Sequence, residues 1–353
     1  MAQHMHVNTP LLESVNMSKR VGTTVYLKME NSQPSGSFKL RGIAHLCQQL
    51  ASRSKGIVCP SGGNAGMAAV YVARKMCLPA TIIIPSSSPQ LVVQRLQEQG
   101  ATVKVVGKDF EDAKAEAFRI AETEGLVYVS PFDHPLIWQG HASVITEVAT
   151  SLGPNVKPGA VLISVGGGGL LCGVVQGLKD VGWVDVPIIA METVGADSLN
   201  ASVKAGRIVT LDNITSEAVC LGAKTVCKKA FEYTQSNEVT IISELVTDKQ
   251  ALHALETFLA VLVGKPRLPG PRPPPPAPPG GHQGVLRPAV RHNPSSVSEV
   301  FPGAFSRLAM PREASGRHPD EMPKPPQLAP LDVKEQRLYS ELLPDDRAPH
   351  PIS

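Results

Sequence analysis

Between residues 20 and 260, short runs rich in β-branched and other apolar residues alternate with longer segments whose apolar positions recur at helical spacing. TVYLKM precedes IAHLCQQLA, GIVC precedes AGMAAVYVARKM, ATIIIP precedes PQLVVQRLQEQG, and TVKVVG precedes FEDAKAEAFRIAETEG. After a tryptophan-containing stretch, AVLISV and VPIIAME resume the pattern with two further helices. Short continuous apolar runs read as strands covered on both faces. Their alternation with helices predicts an α/β fold of parallel sheets covered by helices, with ligands beyond the C-terminal ends of the strands.

Three loops fall at such strand-to-helix junctions. PSGSFKLRG, Pro34 to Gly42, delivers Lys39 directly after the aromatic Phe38, and an amine so placed can hold an aldehyde cofactor as a Schiff base. CPSGGNAGMAA sets Ser61, Gly62, Gly63 and Asn64 ahead of a small-residue helix that starts near Ala65. VLISVGGGGLLCGVVQGL sets Gly166, Gly167, Gly168 and Gly169 between a strand, Val161 to Val165, and a helix, Leu170 to Leu178. The last two loops present backbone N–H groups at a helix N-terminus, where the macrodipole also favours negative charge. The tetraglycine is the better phosphate cradle, because glycine alone lets backbone approach an anion closely and adopt positive φ. No register through either loop gives GxGxxG, and no GK[ST] follows, which disfavours a nucleotide loop. Taken singly, a loop lysine is usually a solvated charge, four glycines a turn and SGGN a helix cap. Their occurrence in one order, each at a junction, favours a cofactor site.

With HVNTPLLES, LKMENSQPSGSFKLRG, the SGGNAG loop, PFDHPLIWQGHAS, SVGGGGLLCGVVQGL, PIIAMET and LGAKTV together, the chain resembles the β-family (fold type II) pyridoxal-phosphate enzymes, and within it the mammalian-type L-serine/L-threonine dehydratases. The resemblance runs from about His6 to about Leu259. It implies a two-domain, tryptophan synthase β-like fold, with 1–38 and 136–262 forming a large cofactor-binding domain and 39–135 a small one. It also implies that Lys39 is the Schiff-base lysine and the base, that Phe38 packs on the pyridine face, and that Asn64 meets the cofactor's phenolic oxygen. Ser61, Gly62, Gly63 and Asn64 would hold the substrate carboxylate, and Gly166 to Gly169 with Leu170 the phosphate. Glu192, Ala196, Leu221 and Ala223 align with a monovalent-cation site, for an ion such as K+. Gly62 stands where serine dehydratases proper carry alanine. The implied reaction is β-elimination of serine to pyruvate, or of threonine to 2-oxobutyrate, with release of ammonia; a homodimer is implied by the same resemblance.

The remaining chemistry-bearing residues add little. His134 and His141, in the Pro-, Gly- and Trp-containing stretch PFDHPLIWQGHAS, read as loop or cap residues. The six cysteines show no CxxC and no histidine at metal spacing, and read as buried free thiols in a reducing compartment. A net charge of +3 with 18% charged residues gives no nucleic-acid surface. No apolar run approaches the roughly 20 residues of a membrane span, and MAQHMHVNTP carries no signal-type apolar core, so a cytoplasmic protein is expected.

From Val263 the composition changes. Residues 264–353 hold 21 of the 32 prolines and no cysteine, beginning with GKPRLPGPRPPPPAPPGG. Proline at this density removes backbone donors and fixes φ, so 263–353 is expected to be a disordered, polyproline-type tail with one short helix around Asp332 to Leu343. Here the chain departs from the dehydratase pattern: neither an EPACGAA segment nor a VCGGxN segment occurs, and no residue takes the role of partner to the pyridine nitrogen. Two alternatives therefore stand beside an active dehydratase: a cofactor-binding variant or regulatory subunit with impaired catalysis, and an interaction protein whose Arg272 to Pro278 (RPPPPAP) docks in SH3-type grooves.

Overall fold

The computed structural model describes residues 5–262, with side chains described to residue 258. In chain order the elements are β1 (Leu11–Glu13), α1 (Val15–Val21), β2 (Tyr26–Lys28), α2 (Lys39–Leu50), β3 (Ile57–Cys59), α3 (Asn64–Lys75), β4 (Ala80–Ile84), α4 (Gln90–Glu98), β5 (Thr102–Val105), α5 (Phe110–Glu124), β6 (Val127–Tyr128), α6 (Pro135–Leu152), β7 (Val161–Ser164), α7 (Gly169–Asp180), β8 (Ile188–Thr193), α8 (Ser198–Ala205), α9 (Lys228–Gln235), β9 (Ile241–Val246) and α10 (Asp248–Leu262).

The strands form two parallel sheets, ordered β5-β4-β3-β6 and β7-β8-β9, and one antiparallel pair, β1-β2. Parallel neighbours need crossovers, and helices supply them here. The period-2 alternation of a strand, with both faces covered, explains why β3 is apolar at every position and why Ile82 to Ile84 of β4 are too. Ile57, Cys59, Ile82 and Ile84 pack into one core with α2 and α3, while Val58 and Ile83 face Ala113, Ala117 and Ile120 of α5 on the other side. A separate core joins Val165, Leu171, Val174 and Val175 to Ile188, Ala190 and Ala230.

Helix ends follow local chemistry. Asp109 caps α5 by accepting from the backbone N–H of Glu111 at 3.0 Å and of Asp112 at 3.2 Å, and Gly125 ends the helix in the left-handed region. His134 caps α6 through Nδ1, which accepts from the Leu136 N–H at 3.1 Å, with Pro135 in the first turn.

The stretch PFDHPLIWQGHAS is thus not wholly a loop. His134 is a cap, as expected, but His141 lies within α6, fully buried, because Pro135 starts a helix as readily as it breaks one and Gly140 is needed where helix meets helix. The cysteines also need correction. Cys47, Cys59, Cys172 and Cys227 are buried free thiols, whereas Cys77, in the turn after α3, and Cys220, between α8 and α9, are exposed. Three strands lie outside the expected runs: β6 and β9 extend the parallel sheets, and β1 pairs with β2. No described helix is long and apolar enough to cross a membrane. The tail, its short helix near 332–343 and the 272–278 motif lie outside the described residues.

Candidate active site

Lys39 is the first residue of α2, so its side chain projects back over the incoming loop. Its Nζ donates to the Pro131 carbonyl oxygen at 2.5 Å and lies 5.4 Å from the centre of the Phe38 ring and 5.9 Å from that of Phe132. The residue as a whole is only partly covered, but its amine end is sunk in the protein. Burial pulls its pKa from 10.5 down to about 8, with the sulfurs of Cys59 and Cys227 acting in the opposite direction. The amine therefore has a substantial neutral fraction near physiological pH.

Phe132 touches both halves of the site. A Cβ on Gly167 would lie 2.3 Å from the Phe132 ring, and one on Gly169 would lie 2.5 Å from the Phe132 carbonyl oxygen. Gly166 abuts the Leu221 carbonyl oxygen in the same way, at 2.4 Å, and Gly168 has φ of 88° with Ala230 2.6 Å from where its Cβ would stand. No residue with a side chain fits this loop without displacing neighbouring atoms. The N–H groups of Gly166 to Gly169 donate to no backbone or side-chain acceptor among the described residues. They stand at the N-terminus of α7, with Leu170 in its first turn. A cradle of unpartnered amides at a helix N-terminus, within contact of the segment that receives the Lys39 amine, fits a phosphate-bearing aldehyde.

The Ser61 loop leaves the C-terminal end of β3, two residues after Cys59, whose sulfur interacts with Lys39. Gly63 caps α3 without a side-chain hydrogen bond, Asn64 is the first helical residue, and Gly63 and Asn64 are exposed. A Cβ on Gly62 would stand 2.8 Å from Val92 Cγ1 and 2.9 Å from Ile84 Cγ2, so alanine here would press on β4 and α4.

Behind Lys39, a charge network fixes α2. Arg41, wholly buried, donates to Glu30 through Nε and Nη2 and to Glu147 through Nη1 and Nη2, each at 2.7 Å. Lys28 Nζ reaches Glu147 at 2.6 Å. Burial alone would raise the two carboxylates, but hydrogen bonds from Arg41, with Thr9 on Glu30 and Lys28 on Glu147, hold both below the usual range. The network has one local signal in the sequence, an arginine two residues after the lysine within an otherwise apolar stretch of α2.

Of the residues aligned with a cation site, Glu192 is the penultimate residue of β8 and is buried, with its two oxygens accepting from the Leu199 and Asn200 N–H groups at 3.0 and 2.7 Å. Burial raises its pKa to about 7 against those two hydrogen bonds. Ala196 is buried in the turn that follows, with its N–H on the Thr193 carbonyl oxygen, and the Leu221 carbonyl oxygen faces Gly166; Ala223 follows two residues later. The described His, Cys, Asp and Glu side chains form no metal-binding cluster.

Residues 3–262 match the family model described as "Pyridoxal-phosphate dependent enzyme". Among curated proteins, the chain is 52% identical over 261 residues to the L-serine dehydratase/L-threonine deaminase of Bos taurus, covering 72% of this chain and 77% of that one. It is 52% identical over 255 residues to the serine dehydratase-like protein of Homo sapiens, covering 72% and 76%. Among solved structures, the fungal L-serine ammonia-lyase from Rhizomucor miehei superposes with a TM-score of 0.68 at 37% identity, covering 74% of this chain and 82% of that one.

Proposed function

This chain belongs to the pyridoxal-phosphate-dependent enzymes, and from that premise we propose that it eliminates water and ammonia from L-serine and L-threonine, giving pyruvate and 2-oxobutyrate. The observation that carries the site assignment is the approach of Lys39 and Gly167 to one residue, Phe132, from loops far apart in sequence.

Pyridoxal phosphate, when bound, supplies an aldehyde carbon for covalent attachment of an amine and a conjugated sink for the electron pair left at Cα. Lys39 would be the residue that holds it, and the Lys39 amine would be the base that accepts the Cα proton. With a pKa of about 8 that amine can be a base near neutral pH without being locked as an ammonium. The Gly166–Gly169 amides and the N-terminus of α7, with Leu170, would hold the cofactor's phosphate. Phe38 would pack against the cofactor ring, and Asn64 would meet its phenolic oxygen. Ser61, Gly62, Gly63 and Asn64 orient the substrate carboxylate at the N-terminus of α3. The Cα hydrogen and the β-hydroxyl leave as water, and a second water releases the nitrogen as ammonia, so serine is converted to pyruvate plus ammonia with no change of oxidation state overall.

The proposed domain division, 39–135 against 1–38 with 136–262, is supported by two separate sheets, each with its own helices. A monovalent cation held by Glu192, Ala196, Leu221 and Ala223 and a homodimeric assembly are part of the same proposal. Release of 2-oxo acid from L-serine by the purified chain with added pyridoxal phosphate tests the reaction. Absence of product while the cofactor is taken up at Lys39 would favour the cofactor-binding, catalytically impaired reading.

A further inference from the structure

His141 has no role in the chemistry described above, yet its setting is unusual. It is wholly buried, and neither ring nitrogen has a hydrogen-bond partner among the described residues. An unsatisfied buried imidazole is costly, so a site that keeps one needs its shape or its contacts. Burial, then the positive charges of Lys39, Arg41 and His6, push its pKa well below the usual histidine value, which keeps the ring neutral.

The side chain is held between two helices, its ring against α2 and its Cβ against α7. A Cβ on Gly42 of α2 would lie 2.7 Å from His141 Cε1, and one on Gly173 of α7 would lie 2.4 Å from His141 Cβ. Those helices carry Lys39 and the tetraglycine at their N-termini. The third contact is the Phe38 ring, whose centre lies 5.1 Å from that of His141 with the planes 66° apart, an edge-to-face pair.

We propose that His141 is a positioning residue: it fixes the plane of the Phe38 ring by edge-to-face packing, from a slot that only glycine at 42 and 173 leaves open. Proton transfer plays no part in this role. The inference rests on the reading that Phe38 lies against the cofactor ring.

The test uses the full chain with ring-labelled phenylalanine, Phe38 being assigned from the loss of its signal in Phe38→Leu. In His141→Ala, the Phe38 ring resonance is expected to move and broaden in the cofactor-free protein. The apparent affinity for pyridoxal phosphate should fall at least fivefold and the visible circular dichroism of the bound cofactor should weaken, while kcat at saturating cofactor falls less than twofold. His141→Phe, which keeps a flat ring, should restore affinity and dichroism more fully than His141→Gln, which keeps polar atoms without a ring. An unchanged Phe38 resonance in His141→Ala, or better rescue by glutamine than by phenylalanine, overturns the proposal. If the wild type takes up no cofactor, the functional reading fails, and the Phe38 resonance still decides the inference.

Discussion

Arg41 Nη1 and Nη2 donate in parallel to the two oxygens of Glu147, 2.7 Å each, from a guanidinium with no solvent exposure. The fork ties the second turn-forming residue after Lys39 to α6, over a hundred residues away, and Glu30 completes the pairing from the other side.

Arg41→Ala would leave Glu30 and Glu147 without their shared cation. Stability should fall by about 3–5 kcal/mol, the range for breaking a buried pair on one side, measured by urea unfolding; a loss within error would contradict the network's role.

Because the folded pKa values of Glu30 and Glu147 are depressed, the network's contribution is fully present above the unfolded glutamate value of about 4.3 and is lost as pH falls through the lower folded values. Glu147→Gln should accordingly be less stable than wild type near neutral pH and approach it in acid. Parallel stability curves over the whole range would refute this.

Lys39 has a linkage of the same direction, but from a charge that destabilises the fold. Its folded pKa of about 8 lies below the ordinary 10.5, so between those values the folded state binds fewer protons than the unfolded state. Lys39→Met should be more stable than wild type below about pH 8, and the gap should narrow as pH rises toward 10.5. Reductive alkylation of the cofactor-free protein, followed by peptide mapping, should label Lys39 with a midpoint near 8, and surface lysines only at higher pH. Labelling of Lys39 in step with surface lysines would show that its amine is not desolvated.

Gly168 takes φ of 88°, and any side chain there meets Ala230. Gly168→Ala should reduce pyridoxal-phosphate affinity at least tenfold, whereas Gly159→Ala, where a Cβ meets nothing within 4 Å, should leave it unchanged. Equal affinities in titrations of the two variants would remove the tetraglycine from the phosphate site.

The parallel sheets and the junction loops were legible in the sequence because their signals are local: Ile82 to Ile84 can only be a buried strand, and consecutive glycines between Val165 and Leu170 mark a close backbone approach. His141 and Arg41 were not, because what they do depends on partners brought from other elements. PFDHPLIWQGHAS looked like a loop, since Pro135 and Gly140 are punctuation in isolation. In the fold Pro135 begins α6, and Gly140 lets it approach α2 so closely that a Cβ would stand 2.4 Å from the Arg41 carbonyl oxygen. Cys77 and Cys220 were misplaced for a similar reason, since apolar neighbours in sequence do not guarantee burial in a turn.

The central claim is that this chain holds pyridoxal phosphate on Lys39 and eliminates from L-serine with it. Mixing purified protein with pyridoxal phosphate, reducing half with borohydride and giving the other half L-serine addresses both parts at once. The account predicts a cofactor-modified peptide containing Lys39 in the first half and stoichiometric pyruvate and ammonia, over many turnovers, in the second, with both signals absent in Lys39→Ala. Modification spread over surface lysines, with pyruvate formation no faster in wild type than in Lys39→Ala, would contradict it.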